Sequence, residues 1–495
     1  MRREKRRGER LLTGLFYLVL FGLLVIFFVK CRPLVVDNMD DWTYLAFTRP
    51  AKPIWHYWNP SRILPEILTP LCALAARWLV MPFTGDFVSA VSVVTGVLLS
   101  AMILLYLALF ARLLQKRMAL GTPVTLLLTA LFAVFHFRSW MSPWIASRHL
   151  FYAECLTTCF YYLIPALLNI QLVLMMEIAR DESRPAGEHA VLKGGMIVLL
   201  YLAIFSNLFS SVVLAVYAGW RLLCAAAKGL RDKAPVRAWF KANGWPLGIL
   251  AAWGVSAVFE LSGGRARGMG SALPLLDRIK SVIHIFLLEM ERMEDSVFYL
   301  CAAMLAAGLI ALCLSRLKTP RDRAYGRMVL HCLACAGVTL LYLILLSAAT
   351  EPSYIARMEV LICMMAPVLT AAFLSLGYLI ARWRSVAMAV PLVTFVMAFD
   401  VLIGADSFAQ SNVLGQSAQT CMQTNRSFLQ EILNADREGM TEMTLSVPRC
   451  DGPSNWPYTY EMGGRMVTTL RQLDMIEHIQ TIHIEPVDDF AALHD

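Results

Sequence analysis

Charge is scarce in this chain. Of its 495 residues only 16% are charged, against 58% hydrophobic, and the mean hydropathy is +0.59. A soluble globule carries about 25% charged residues, so the composition argues against one. The phosphate-cradling P-loop, the dinucleotide glycine pattern and H-E-x-x-H are also missing, which argues against a nucleotide-hydrolysing transporter. The short alternating segments of an outer-membrane barrel are absent too. No small-residue cleavage site follows the first apolar run, Leu11–Val29, which ends at Lys30-Cys31-Arg32-Pro33. The basic block Arg2–Arg7 therefore heads a retained signal-anchor.

What the chain has instead is a series of apolar runs near the roughly 20-residue length that crosses a bilayer. With the basic N-terminus in the cytoplasm, Lys and Arg fall largely in short inner loops, so the net charge of +8 does not imply nucleic acid. Ile63–Met81 is broken by Pro65, Glu66, Pro70 and Arg77, and is expected to be interfacial or re-entrant. Gly194–Ala227, basic at both ends, folds as a hairpin turning near Ser206-Asn207. The expected fold is an all-α polytopic membrane protein of about 11 transmembrane helices. Residues 1–405 form the membrane domain, with outer loops at 30–87, 138–154, 262–296 and 350–359; residues 406–495 form a small α/β extracytoplasmic appendage. In the third loop, Leu275–Met290 is expected to be an amphipathic helix in the interface plane, after a basic loop with Arg265 and Arg267.

Most of the twelve cysteines lie in apolar runs and behave as small hydrophobes. Cys421 and Cys450, in the tail, would pair in an oxidising compartment.

The chemistry-bearing residues crowd beyond the first run, in Asp37-Asn38-Met39-Asp40-Asp41-Trp42, with Trp55, Trp58 and Arg62 following. Carboxylates at a bilayer boundary are costly and point to function. Asp40 or Asp41 is suited to take a proton from an acceptor alcohol. Asp37, Asp40 and Asp41 together would also attract a divalent cation, Mg or Mn. The plainer reading is a solvated loop past a helix end. Arg62 would hold a lipid phosphate, as would Arg148 and Arg357 in later outer loops. Trp42, Trp58, His149, Glu351 and Tyr354 would line the substrate, although Trp and Tyr collect at membrane interfaces regardless. Asp400, inside the last span, faces a cavity or pairs with a neighbouring helix. Asn425-Arg426-Ser427 fits the glycosylation acceptor pattern.

Asp40-Asp41-Trp42, followed by Trp58-x-x-x-Arg62 before an apolar stretch, resembles the first outer loop of the GT-C superfamily of integral-membrane glycosyltransferases, especially its bacterial members. The run Tyr161-Tyr162-Leu163-Ile164-Pro165 is loosely similar to one in the same group. The resemblance implies a bacterial inner-membrane enzyme that takes a sugar from a polyprenyl phosphate. It also implies that Asp40 or Asp41, with Asp40 slightly preferred, is the base or metal contact. The strict D-x-D or E-x-D of the superfamily is absent, which leaves metal dependence open.

The expected function is transfer of one sugar from a polyprenyl phosphate to an outward-facing glycan or lipid of the cell envelope, with inversion if displacement is direct. A transporter or flippase, and a surface-polysaccharide polymerase or ligase, are the alternatives.

Overall fold

The computed structural model describes residues 2–49, 60–142, 144–180, 189–233, 235–262, 274–451 and 454–489. Trp55, Trp58, Arg265 and Arg267 lie outside them.

The chain is a multi-pass helical membrane protein. Among the described residues ten helices are long and apolar enough to cross a bilayer, from Arg7–Cys31 to Arg384–Ser407, and there are two shorter apolar helices, Thr122–Arg138 and Gly194–Ile204. Leu15, Leu18 and Leu23 of the first helix are more than half exposed, as are Leu392 and Phe395 of the last. Hydrocarbon, unlike water, accommodates such surfaces. The helix Met358–Arg382 lies at the centre, buried along most of its length.

The ends of the bundle differ in chemistry. Arg117, at the end of Phe87–Met118, pairs with Glu177 near the end of Leu156–Ala179, and this end is basic. The opposite end carries residues 32–49 and 60–62 and the tail. Ile63–Thr84 qualifies as a span by length and composition. Both of its flanks nevertheless lie at the loop end: Arg62 bonds Glu260, and Asp86 pairs with Arg426 of the tail at 3.0 Å. The predicted hairpin turns at Ser206-Asn207, where Asn207 caps the following helix through the Phe209 N–H.

Asp400 bonds Arg138 of the helix Thr122–Arg138, which also pairs with Glu294 at 3.1 Å. It thus ties neighbouring helices together. The surface helix forms over Leu275–Glu291. Its Val282 and Glu289 are buried, while Leu276, Ile283 and Leu287 stay exposed along one stripe, the pattern of a helix lying on a bilayer.

The tail is an α/β unit. Glu442–Pro448 and Thr481–Val487 pair as parallel strands, joined through the helix Met462–Gln472, with the helix Ala418–Arg437 before them. Rather than standing apart, it clamps the first loop. The Trp42 indole N–H donates to Asn425 Oδ1 at 3.2 Å, Thr469 donates to the Trp42 carbonyl, and the Phe47 N–H donates to Gln472 at 2.7 Å. Cys421 and Cys450 are both free thiols here.

Asn425 is fully buried, holding the Trp42 indole through Oδ1 and donating from Nδ2 to the Cys421 carbonyl. A glycan has no access to it in the folded protein. Intact mass should show no modification at this site, and Asn425→Ala should cost about 1–3 kcal/mol by stranding the indole N–H; thermal unfolding of the purified protein measures that loss.

Candidate active site at the loop end

The short helix Met39–Leu45 organises the first loop. Asn38 starts it with a reciprocal cap: its side chain accepts from the Asp41 N–H at 3.0 Å, and Asp41 reaches back to the Asn38 N–H. The two adjacent carboxylates consequently have different surroundings. Asp41 is 1% exposed and both its oxygens are engaged. Oδ2 accepts from the Asp37 N–H at 3.0 Å; Oδ1 accepts from the Thr157 N–H and hydroxyl at 2.8 and 2.7 Å. Burial pushes its pKa up to about 7, although the bonds from Thr157 pull the other way. Asp40 is only partly buried. It sits one helical turn before Tyr44, on the same face, and the Tyr44 ring packs on Tyr161 with centroids 4.6 Å apart.

Tyr161 opens the cavity. A turn of π-helix over Cys159–Leu163 reduces the angle between successive side chains, so that Tyr161 and Tyr162 both face the same space. The space, ≈ 90 Å³, is also lined by Arg62, Glu260, Asn207 and Tyr354. Arg62 occupies a left-handed conformation at φ 60°, a strained position for a long side chain and one that marks functional sites. Its Nε and Nη2 donate to the two oxygens of Glu260 at 3.2 and 2.9 Å. Burial alone would lower the Arg62 pKa, but the bonds and charge of Glu260 more than offset it and the net shift is upward.

Across the cavity, Tyr354 carries the Arg357 guanidinium over its ring, 4.5 Å from the centroid. Arg357 pairs with Glu154 at 3.8 Å and senses Glu359; together these raise its pKa against the opposing effect of burial. Glu359 is 1% exposed and its Oε1 has no hydrogen-bond partner among the described residues. The cavity thus has the Arg62 guanidinium in its lining and is walled by tyrosines, one of which, Tyr354, carries Arg357 on its ring.

Other predicted site residues fall elsewhere. Arg148 is bridged to Trp140 and reaches Glu289 at 3.5 Å, on the surface-helix side. Glu351 is exposed. Trp42 is wholly buried against Phe87 and Asn425, so it anchors the tail and has no free face for a sugar. His149 is 3% exposed in a cage of Phe27, Phe28, Phe137, Tyr152 and Phe408. Its aromatic neighbours, not a substrate, account for its position. Asp37 is fully buried under the tail; burial raises its pKa, partly offset by the Cys421 thiol and the Val413 N–H. Glu260 was not foreseen, because it closes an otherwise apolar run; a carboxylate in the last turn of a span was the available signal.

Burial lowers the His149 pKa to about 3, with the Arg32 charge adding to the effect. Its folded-state pKa is below the free value of about 6.5, so stability is full above that pH and is lost on acidification towards 3. At pH 5 the cost is about 2 kcal/mol. His149→Phe, which suits the cage, should abolish this acid sensitivity; melting curves at pH 5 and 7.5 would show it.

The carboxylates do not suit a cation. Asp41 has N–H and O–H donors on both oxygens, Asp37 is sealed beneath the tail, and among the described residues no three Asp, Glu, His or Cys side chains come together to hold a metal.

No family model and no curated protein matches the chain. Among solved structures it is similar to the crystal structure of the Archaeoglobus fulgidus oligosaccharyltransferase complex with Zn and sulfate. Identity is 12% and the TM-score 0.40, over 93% of this chain and 58% of that one. The chain therefore spans less than two thirds of that protein's length. The reading that follows rests on this chain's own residues.

Proposed function

We propose that this protein is a glycosyltransferase of the bacterial inner membrane, moving one sugar from a polyprenyl phosphate to an extracytoplasmic acceptor of the cell envelope. The observation that carries the proposal is the tyrosine-walled cavity lined by Arg62 and Tyr354, whose Tyr161 packs on Tyr44, one helical turn after Asp40.

Asp40 takes the proton of the acceptor hydroxyl while that oxygen attacks the anomeric carbon. The bond between that carbon and the phosphate oxygen breaks, and polyprenyl phosphate departs with the bonding electrons. Its negative charge grows as it leaves, and Arg62 meets it there, with Glu260 fixing the guanidinium plane. Arg357 supports the phosphate from the other wall, and Arg148 lies further out. A single displacement inverts the anomeric centre. Asp41 holds the helix that presents Asp40 and is not the base for the acceptor hydroxyl.

Mass spectrometry of envelope glycans and lipid-linked sugars, with and without the gene, tests this reading. It predicts loss of one sugar from an envelope glycan or lipid and accumulation of the polyprenyl-phosphate sugar. Accumulation of an intact precursor with every sugar in place would favour a flippase or a polymerase instead.

A further inference from the structure

At the far end of the bundle, four helices surround a cavity of ≈ 440 Å³. Arg117, Arg180, Arg221, Lys228 and Arg327 line it beside Trp220, and no carboxylate is among the described lining residues. Glu177, 2% exposed, lies behind the wall and pairs with Arg221 at 3.1 Å and with Arg117 and Arg180 at 3.5 Å. Among the described residues, one carboxylate against five cations leaves the bowl positive. Basic residues at helix ends ordinarily snorkel separately towards headgroups; here they converge on one concave space.

A second hollow, ≈ 660 Å³, adjoins the bowl and shares Arg327 and Leu330 with it. Leu312, Leu317 and Leu330 make it apolar, with Arg323 at its edge. Leu317 and Leu330 are at least half exposed, so the groove is open from the side. A cationic bowl continuous with an apolar groove fits a molecule that has a phosphate head and a hydrocarbon chain.

We propose that this end of the protein binds an anionic phospholipid, its phosphate in the bowl and one acyl chain along the groove. The site is distinct from the Arg62 cavity, and its failure would leave the proposed sugar transfer untouched. Snorkelling without a specific site is the rival outcome.

Full-length protein in detergent, titrated with phosphatidylglycerol or phosphatidylcholine and followed by native mass spectrometry, tests it. Phosphatidylglycerol should be retained in preference. The double variant Lys228→Gln/Arg327→Gln, which spares every partner of Glu177, should weaken that retention about thirtyfold, or about 2 kcal/mol for two cations. Arg384→Gln, a basic-end change outside the bowl, should have no effect. Equal retention by the double variant, or equal loss in Arg384→Gln, would overturn the site. Inorganic phosphate that strips the lipid supports a phosphate-binding bowl; stripping that persists while Leu330→Gln leaves lipid retention unchanged would overturn the lipid as occupant. If the double variant melts early, Leu317→Gln, which lines the groove alone, decides, because it should weaken lipid retention without altering phosphate binding.

Discussion

Asp40→Asn should lower sugar transfer by about 10²–10⁴-fold, the usual contribution of a positioned general base, while the protein melts at the wild-type temperature. Asp40 is partly exposed on the face of its helix that carries Tyr44, and an amide of the same shape keeps its packing there. The neighbouring Asp41→Asn should behave in the opposite way. An amide in place of either oxygen turns N–H donors on N–H donors, those of Asp37 and Asn38 on one side or that of Thr157 on the other. The expected cost is about 1–3 kcal/mol of stability, with activity lost only as folded protein is lost. A pH series adds a signature. Asp41 has a folded-state pKa of about 7, above the ordinary carboxylate value of 3.8, so its favourable contribution is complete below the lower value and disappears as the pH rises through 7. That slope should vanish in Asp41→Asn. Comparable loss of turnover in both variants, at equal folded fraction, would contradict the division of labour between the two acids.

The second large effect is expected at Arg62. Arg62→Ala should reduce transfer by about 10²–10³-fold if the guanidinium stabilises the departing phosphate. It should also destabilise the protein, because Glu260 remains only 16% exposed without its partner. The double variant Arg62→Ala/Glu260→Ala separates these effects: stability should largely return while turnover stays low. Arg62→Lys should recover little, since an ammonium cannot bond both Glu260 oxygens and hold a phosphate in one plane. Recovery of activity along with stability in the double variant would show that Arg62 serves the fold alone.

The helical framework was legible in the sequence because each apolar run announces a span by its own length. The hairpin at Ser206-Asn207 was legible for a related reason: basic residues at both ends of one long run leave no other topology. Ile63–Thr84, despite its internal Pro, Glu and Arg, is long and apolar enough to count as a span. The site was harder to read. Asp40 and Asp41 are adjacent and chemically identical, and only a cap together with Thr157, 116 residues along the chain, separates them. Trp42 and His149 have residue types that fit sugar binding, yet tail and aromatic packing claim them; sequence alone cannot reveal which face of a loop becomes covered. The pairing of Arg62 with Glu260 joins residues 198 positions apart, beyond any local pattern. Tyr161 and Tyr162 face one cavity because of a π-turn that no periodicity marks.

The central claim is that the loop-end cavity holds the phosphate of a polyprenyl carrier. Photo-crosslinking with a polyprenyl phosphate bearing a diazirine near its phosphate tests it most directly, with labelled peptides mapped in wild type and in Arg62→Ala/Glu260→Ala. Label on the segments around Arg62, Tyr161 and Tyr354, reduced at least several-fold in the double variant and competed by unlabelled carrier, is the predicted result. Label confined to the basic end around Arg221 and Arg327, or unchanged in the double variant, would contradict it.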